Sequence, residues 1–181
     1  FIVKSLREQF EEDYAAVPYT DRPGGKVKIR YVYDAPWYRW NLPESVLKKK
    51  KWQMAGASVA CLGIFILTAL LPSGVNIWSL TAITGVVSLA AHILELFGVI
   101  RFMVAKYQVT RTDYNYINSI MKLVPWIHGG CLSAAFLTGI IFQAKTYFEP
   151  WSMAACAGYL ICAGISFYIA VSYRKIPAAL S

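Results

Sequence analysis

Residues 52–94, 123–144 and 150–173 contain no Asp, Glu, Lys or Arg. A helix needs roughly 20 apolar residues to cross a bilayer. The first stretch is long enough for two such helices and each of the others for one. The pattern therefore predicts an all-α membrane protein with four transmembrane helices, at about 52–71, 77–102, 123–142 and 151–173. Short turns at 72–76 and 146–150 join them into two hairpins, and a polar loop at 106–122 connects the hairpins.

The chain before the first span is different in kind. Residues 1–16 carry an apolar ladder of Val3, Leu6, Phe10 and Tyr14, which predicts a short amphipathic helix ended by Pro18. Pro23-Gly24-Gly25 predicts a turn. From 26 to 33, Val27, Ile29, Tyr31 and Tyr33 alternate with Lys26, Lys28 and Arg30, the period-two signal of a strand. No convincing second strand follows, so this one is expected to pair with a part of the chain outside these 181 residues, to pair with another protein by strand addition, or to run extended along a surface. Trp37, Tyr38 and Trp40 flank Arg39 between Pro36 and Pro43, and are read as an interfacial segment at head-group level. The expected division is a small N-terminal extension at 1–51, a membrane domain at 52–175 and a tail at 176–181.

Within the second span, Thr81, Thr84, Ser88, His92 and Glu95 recur at spacings of three and four, which places them on one helical face. A carboxylate at membrane depth costs about 2.5–3.5 kcal/mol on insertion scales, so it needs a partner or a proton. His92 is within reach across one turn. Counting about 1.5 Å per residue from the span ends places His128 within a few ångströms of Glu95 in depth. A His92–Glu95–His128 cluster is thus expected, either as a structural contact or as a proton- or ion-handling site. His92 and His128 are also the only pair able to ligate a haem. The same counting puts His92 roughly 7 Å deeper than His128, which argues against that ligation. No metal or other cofactor is expected.

Charge adds topology. Of the 18 Lys and Arg, eleven precede the first span, four lie from Arg101 to Lys122, and Arg174 and Lys175 follow the last span. Only Lys145 falls in a loop on the opposite side. This asymmetry predicts that both termini are cytoplasmic, facing anionic lipid head groups, in the plasma (inner) membrane. The net charge of +8 is thereby explained without nucleic acid. Cys61, Cys131, Cys156 and Cys162 all fall inside spans, form no CxxC pair, and read as small apolar residues. The charged first fifty residues lack the apolar core of a signal peptide.

Zinc-protease spacing, a Ser-His-Asp set and a phosphate-binding loop are all missing, so enzyme chemistry is not expected. The small residues Ala154, Gly158, Cys162 and Ser166 recur every fourth position in the last span. Gly56 with Ala60, and Gly130 with Ala134, form shorter ladders in the first and third. Such ladders let helices approach closely in lipid. The hairpins also resemble each other at an offset of 73–74 residues: Trp52, Gly56 and Ala60 recur as Trp126, Gly130 and Ala134. This suggests a parallel internal repeat. Taken together, these features predict a non-catalytic membrane subunit or scaffold that contacts other membrane subunits or itself. A small oligomeric transporter or proton-conducting protein using Glu95 and His92 is the first alternative, and a haem-binding electron carrier the second.

Overall fold

The computed structural model describes residues 6–21, 26–146, 148–176 and 178–180. Its elements are α1 (Leu6–Asp13), β1 (Tyr14–Tyr19), β2 (Lys28–Tyr33), β3 (Tyr38–Trp40), α2 (Glu44–Ala69), α3 (Gly74–Ile77), α4 (Ser79–Val104), β4 (Gln108–Val109), α5 (Arg111–Lys145), α6 (Pro150–Arg174) and β5 (Ala178–Leu180). Among the described residues, α2, α4, α5 and α6 are the four helices long and apolar enough to cross a membrane. The charge-free stretches leave the backbone no alternative in lipid, where only internal hydrogen bonds satisfy the peptide groups.

The helix ends follow local chemistry. Pro150 opens α6 and Arg174 lies in its last turn, as a pre-set φ and the helix dipole favour. Thr110 caps α5 by accepting from the Asp113 amide at 3.2 Å. α5 therefore begins at Arg111, which corrects the expected loop at 106–122: only 105–110 connects the hairpins. Pro125 lies inside this helix, where it supplies no amide to the preceding turn.

α5 packs between α4 and α6, and α2 closes the bundle against α6 and α4. Two apolar cores form along it. One gathers Trp40, Met54, Phe102, Met121, Ile169 and Tyr173; the other gathers Phe65, Val75, Leu132, Ala135, Cys156 and Tyr159. Gly158 is where α2 and α6 meet, since a methyl group there would run into the Thr68 side chain.

Each end of the bundle is tied by polar contacts. At one end β3 pairs antiparallel with both β4 and β5, so the entry to α2, the α4–α5 connection and the exit from α6 form one three-stranded sheet. Both hairpins thus start and finish at the same end. Lys51 donates from α2 to the Ala105 carbonyl at the end of α4. At the other end, Asn76 donates to the Thr68 and Leu71 carbonyls at 2.9 and 3.1 Å, satisfying the last turn of α2. Tyr159 donates to Asn76 Oδ1 at 2.8 Å. The Glu149 carboxylate accepts from the Gly74 amide at 3.1 Å and from the Ser152 hydroxyl. These two bonds, the Ser152 one foremost, hold the Glu149 carboxyl below its ordinary range.

The N-terminal part departs most from expectation. The helix stops at Asp13, and Tyr14–Tyr19 forms a strand paired antiparallel with β2, Pro18 opposite Ile29. Pro18 thus lies within a strand rather than ending a helix, on a two-stranded hairpin where its missing amide costs little. The lone strand expected at 26–33 has its partner within the chain. Tyr33 Oη accepts from the Arg111 amide at 2.8 Å and donates to the Pro36 carbonyl at 2.9 Å, while the buried Asp13 accepts from Thr112 at 2.8 Å. The hairpin is thereby moored to the start of α5. The interfacial reading of 36–43 is corrected at Trp40, which is 1% exposed, packs edge-on against Phe102 and donates to the Lys106 carbonyl at 3.2 Å. The turn at 23–25 and the side chains of Val3, Leu6 and Phe10 lie outside the described residues.

Candidate functional site: a buried His–Glu–Cys cluster

The polar stripe of α4 faces inward for most of its length. Thr81, Ser88, His92 and Glu95 are buried. Thr84 is turned aside, its hydroxyl donating to the Leu80 and Thr81 carbonyls of its own helix. On α2, α5 and α6 the polar positions Ser58, His128 and Ser166 fall between residues of the two apolar cores, and on α4 Ser88 to Glu95 precede the core residues Val99 and Phe102.

Glu95 is completely buried and His128 is 1% exposed; His128 Nδ1 lies 2.9 Å from Glu95 Oε2. Ser166 donates to the same carboxylate oxygen at 3.2 Å and lies 2.7 Å from His128 Nδ1. With a proton on Nδ1, His128 donates to Glu95 and its Nε2 points away from the carboxylate. Three helices are thus joined through one carboxylate oxygen. The depth count that paired Glu95 with His128 matches this contact. Glu95 meets His128 and Ser166, while neither nitrogen of His92, one turn away, makes a hydrogen bond.

The imidazole of His92 instead meets that of His128 edge to face, ring centroids 4.8 Å apart and planes at 61°. The two rings meet despite the depth difference counted along the helix axes, because side-chain reach closes that gap. Rings in direct edge contact leave no room for a macrocycle between them, so the haem arrangement is not supported. Cys61, which the sequence reading took as a small apolar residue, completes the group. A sulfur of Cys61 and nitrogens of His92 and His128 lie within 4.8 Å of one another, all three residues buried. The Cys61 thiol donates weakly to the Cys162 carbonyl at 3.7 Å, and the Cys162 thiol returns the contact at 3.5 Å. The one sequence signal for Cys61 is depth: it stands nine residues from 52, and His92 ten residues from 102, the predicted inner ends of their spans.

The cluster is rich in unused hydrogen-bonding capacity. His92 Nδ1 and Nε2, His128 Nε2, Glu95 Oε1, Ser58 Oγ and Ser88 Oγ are buried without partners. Each such atom costs about 1–3 kcal/mol relative to a satisfied one. Buried groups of this kind are usually satisfied by a water or an ion, or serve a functional role.

Of the small-residue positions, Gly158, Cys162 and Ser166 are buried at helix contacts. Gly56, Ala60, Gly130 and Ala154 face outward, and a methyl group added at Gly56 or Gly130 would meet nothing within 4 Å. Ala134 is half-buried. The ladders on the first and third spans thus do not serve the bundle itself at these glycines.

Fold and site together define a multi-pass membrane protein with four candidate spans and a buried ionisable cluster. No family model, curated protein or solved structure matches the chain.

Proposed function

We propose that this protein is a non-catalytic integral subunit of a larger membrane assembly, with the β1–β2 hairpin as its docking element. One observation carries the reading. The hairpin register puts Tyr14, Ala16, Pro18, Ile29, Tyr31 and Tyr33 on a single face with no charged residue, yet Ile29 is 63% exposed and Val32, on the other face, 43%. A hairpin of two strands is marginal in water by itself. Here it is moored to α5 at its Tyr33 end, and toward its other end Ile29 remains exposed, which suits contact with an apolar partner surface. The outward glycines of α2 and α5 suit a second contact within the membrane. By the distribution of Lys and Arg, the hairpin and the three-stranded sheet lie on the cytoplasmic side of the plasma (inner) membrane, near anionic head groups.

Native mass spectrometry after gentle detergent extraction tests this, together with a photo-crosslinking residue at Ile29 and a control at Ile77, which is 85% exposed on the opposite end. The expected result is another membrane subunit at fixed stoichiometry, linked from position 29 and not from 77. Only lipid adducts, or a bare monomer, would refute it.

A second reading, proton-coupled transport, is favoured by Glu95 and His128, an ionisable pair sealed in the bundle. It requires that Glu95→Gln abolish the pH dependence of flux in proteoliposomes.

A further inference from the structure

We propose that Cys61, His92 and His128 form an intramembrane binding site for one divalent thiophilic transition-metal ion, zinc or copper. The inference goes beyond the subunit reading and stands independently of it.

Three observations converge. First, the donor atoms of three residues from three different helices, α2, α4 and α5, already lie within 4.8 Å of one another. A tetrahedral ion with Zn–S near 2.3 Å and Zn–N near 2.0–2.1 Å spaces its ligands about 3.3–3.6 Å apart. Small side-chain rotations close that difference. Second, the donors have little other employment: both nitrogens of His92 and Nε2 of His128 are buried without hydrogen-bond partners among the described residues, and the Cys61 thiol has only its long contact to the Cys162 carbonyl at 3.7 Å. A pair of imidazoles packed for structure alone would be expected to use at least one of those nitrogens. Third, Glu95 supports His128 as metal sites require. With the proton on Nδ1, its carboxylate accepts from His128 at 2.9 Å and, with Ser166, fixes the ring so that the lone pair on Nε2 is available. This carboxylate–histidine arrangement is the usual outer support of a metal-bound imidazole.

The donor chemistry selects the ion. One thiolate and two neutral imidazoles suit zinc and copper and disfavour magnesium or calcium, which take oxygen ligands. Charge selects the valence. A divalent ion, the Cys61 thiolate and the Glu95 carboxylate sum to zero, the state that hydrocarbon surroundings tolerate best. Binding breaks the S–H bond of Cys61 and forms the metal–sulfur bond, and the single proton leaves to solvent. No oxidation state changes. Cys162, the strongest competing sulfur, lies outside the group that Cys61 forms with His92 and His128, and its thiol is turned to the Cys61 carbonyl at 3.5 Å.

The test uses the full chain in mild detergent. The protein is dialysed separately against zinc chloride and against a copper salt, desalted, and measured by elemental mass spectrometry. The expected result is about one ion per chain from at least one metal, with more than a tenfold loss in Cys61→Ser and in His92→Gln. Cys131→Ser, half-buried on α5 and outside the group, should bind normally. Glu95→Gln should weaken binding by about 10- to 100-fold. Should the ligand variants fail to fold, cobalt(II) added to the unmodified protein reads the site directly: a thiolate-to-cobalt charge-transfer band that zinc bleaches supports it. Absence of that band, fewer than 0.1 ions per chain with both metals, or equal binding by C61S and H92Q would overturn it.

Discussion

Oε2 of Glu95 and Nδ1 of His128 stand 2.9 Å apart in the interior of the bundle, on adjacent helices α4 and α5. Ser166 of α6 shares the same oxygen. This contact replaces the water that both groups lose, and it fixes the register of three spans with one carboxylate. Removing the carboxylate leaves the buried His128 Nδ1–H and the Ser166 hydroxyl without their acceptor, at about 1–3 kcal/mol each.

Glu95→Ala should therefore destabilise the protein by about 3 kcal/mol in a reversible detergent–SDS titration, and Glu95→Gln by about 1 kcal/mol, because an amide oxygen still accepts from His128 and Ser166. Equal losses would mean that side-chain volume, and not the shared oxygen, holds the helices.

The glycines separate two kinds of packing. Leucine at Gly158 collides with Thr68 and should part α2 from α6, costing about 2 kcal/mol or more in the same titration. Gly56 and Gly130 face outward with nothing within 4 Å of an added methyl group, so leucine at either should change monomer stability by less than about 0.5 kcal/mol. If the subunit reading is right, either of the latter should nonetheless reduce recovery of the partner on co-purification.

Asn76 supplies side-chain donors to the last turn of α2 and an acceptor to Tyr159 of α6. Asn76→Ala should cost about 1–3 kcal/mol. Tyr159→Phe, which removes only the bond to Oδ1, should cost about 1 kcal/mol. Thermal unfolding in detergent followed by tryptophan fluorescence would order the two; a reversed order would show that Tyr159, and not the cap on α2, holds this end.

How much of this was legible depends on what each contact rests on. The four spans follow from charge-free length alone, since lipid permits little else. Glu95 with His128 followed from depth along two helices. Cys61 did not, because a cysteine in a span reads as a small apolar residue until a tertiary neighbour gives it another role. The sheet of β3, β4 and β5 was hidden for a different reason. Strands of two or three residues carry no period, and their partners lie far apart in sequence. Trp40 misled because an aromatic residue before a span belongs as naturally at an interface as in a core. The β1–β2 hairpin was missed because Pro18 reads as a helix stop, and the strand signal of Tyr14–Tyr19 is broken by Ala15 and Ala16.

Glu149 offers a pH-dependent check on the end of the bundle away from the sheet. Its carboxylate accepts from Ser152 and from the Gly74 amide, and these bonds lower its pKa from the ordinary 4.5. A carboxyl whose folded pKa is depressed adds stability that is complete above the unfolded value and lost as pH falls through the folded one. The unfolding midpoint should therefore be insensitive to this group at neutral pH and fall as the solution is taken below about 4.5. Glu149→Gln should remove that part of the acid sensitivity while leaving the contacts of Asn76 in place. Identical acid profiles for the two proteins would show that the Gly74 and Ser152 bonds are not maintained in solution.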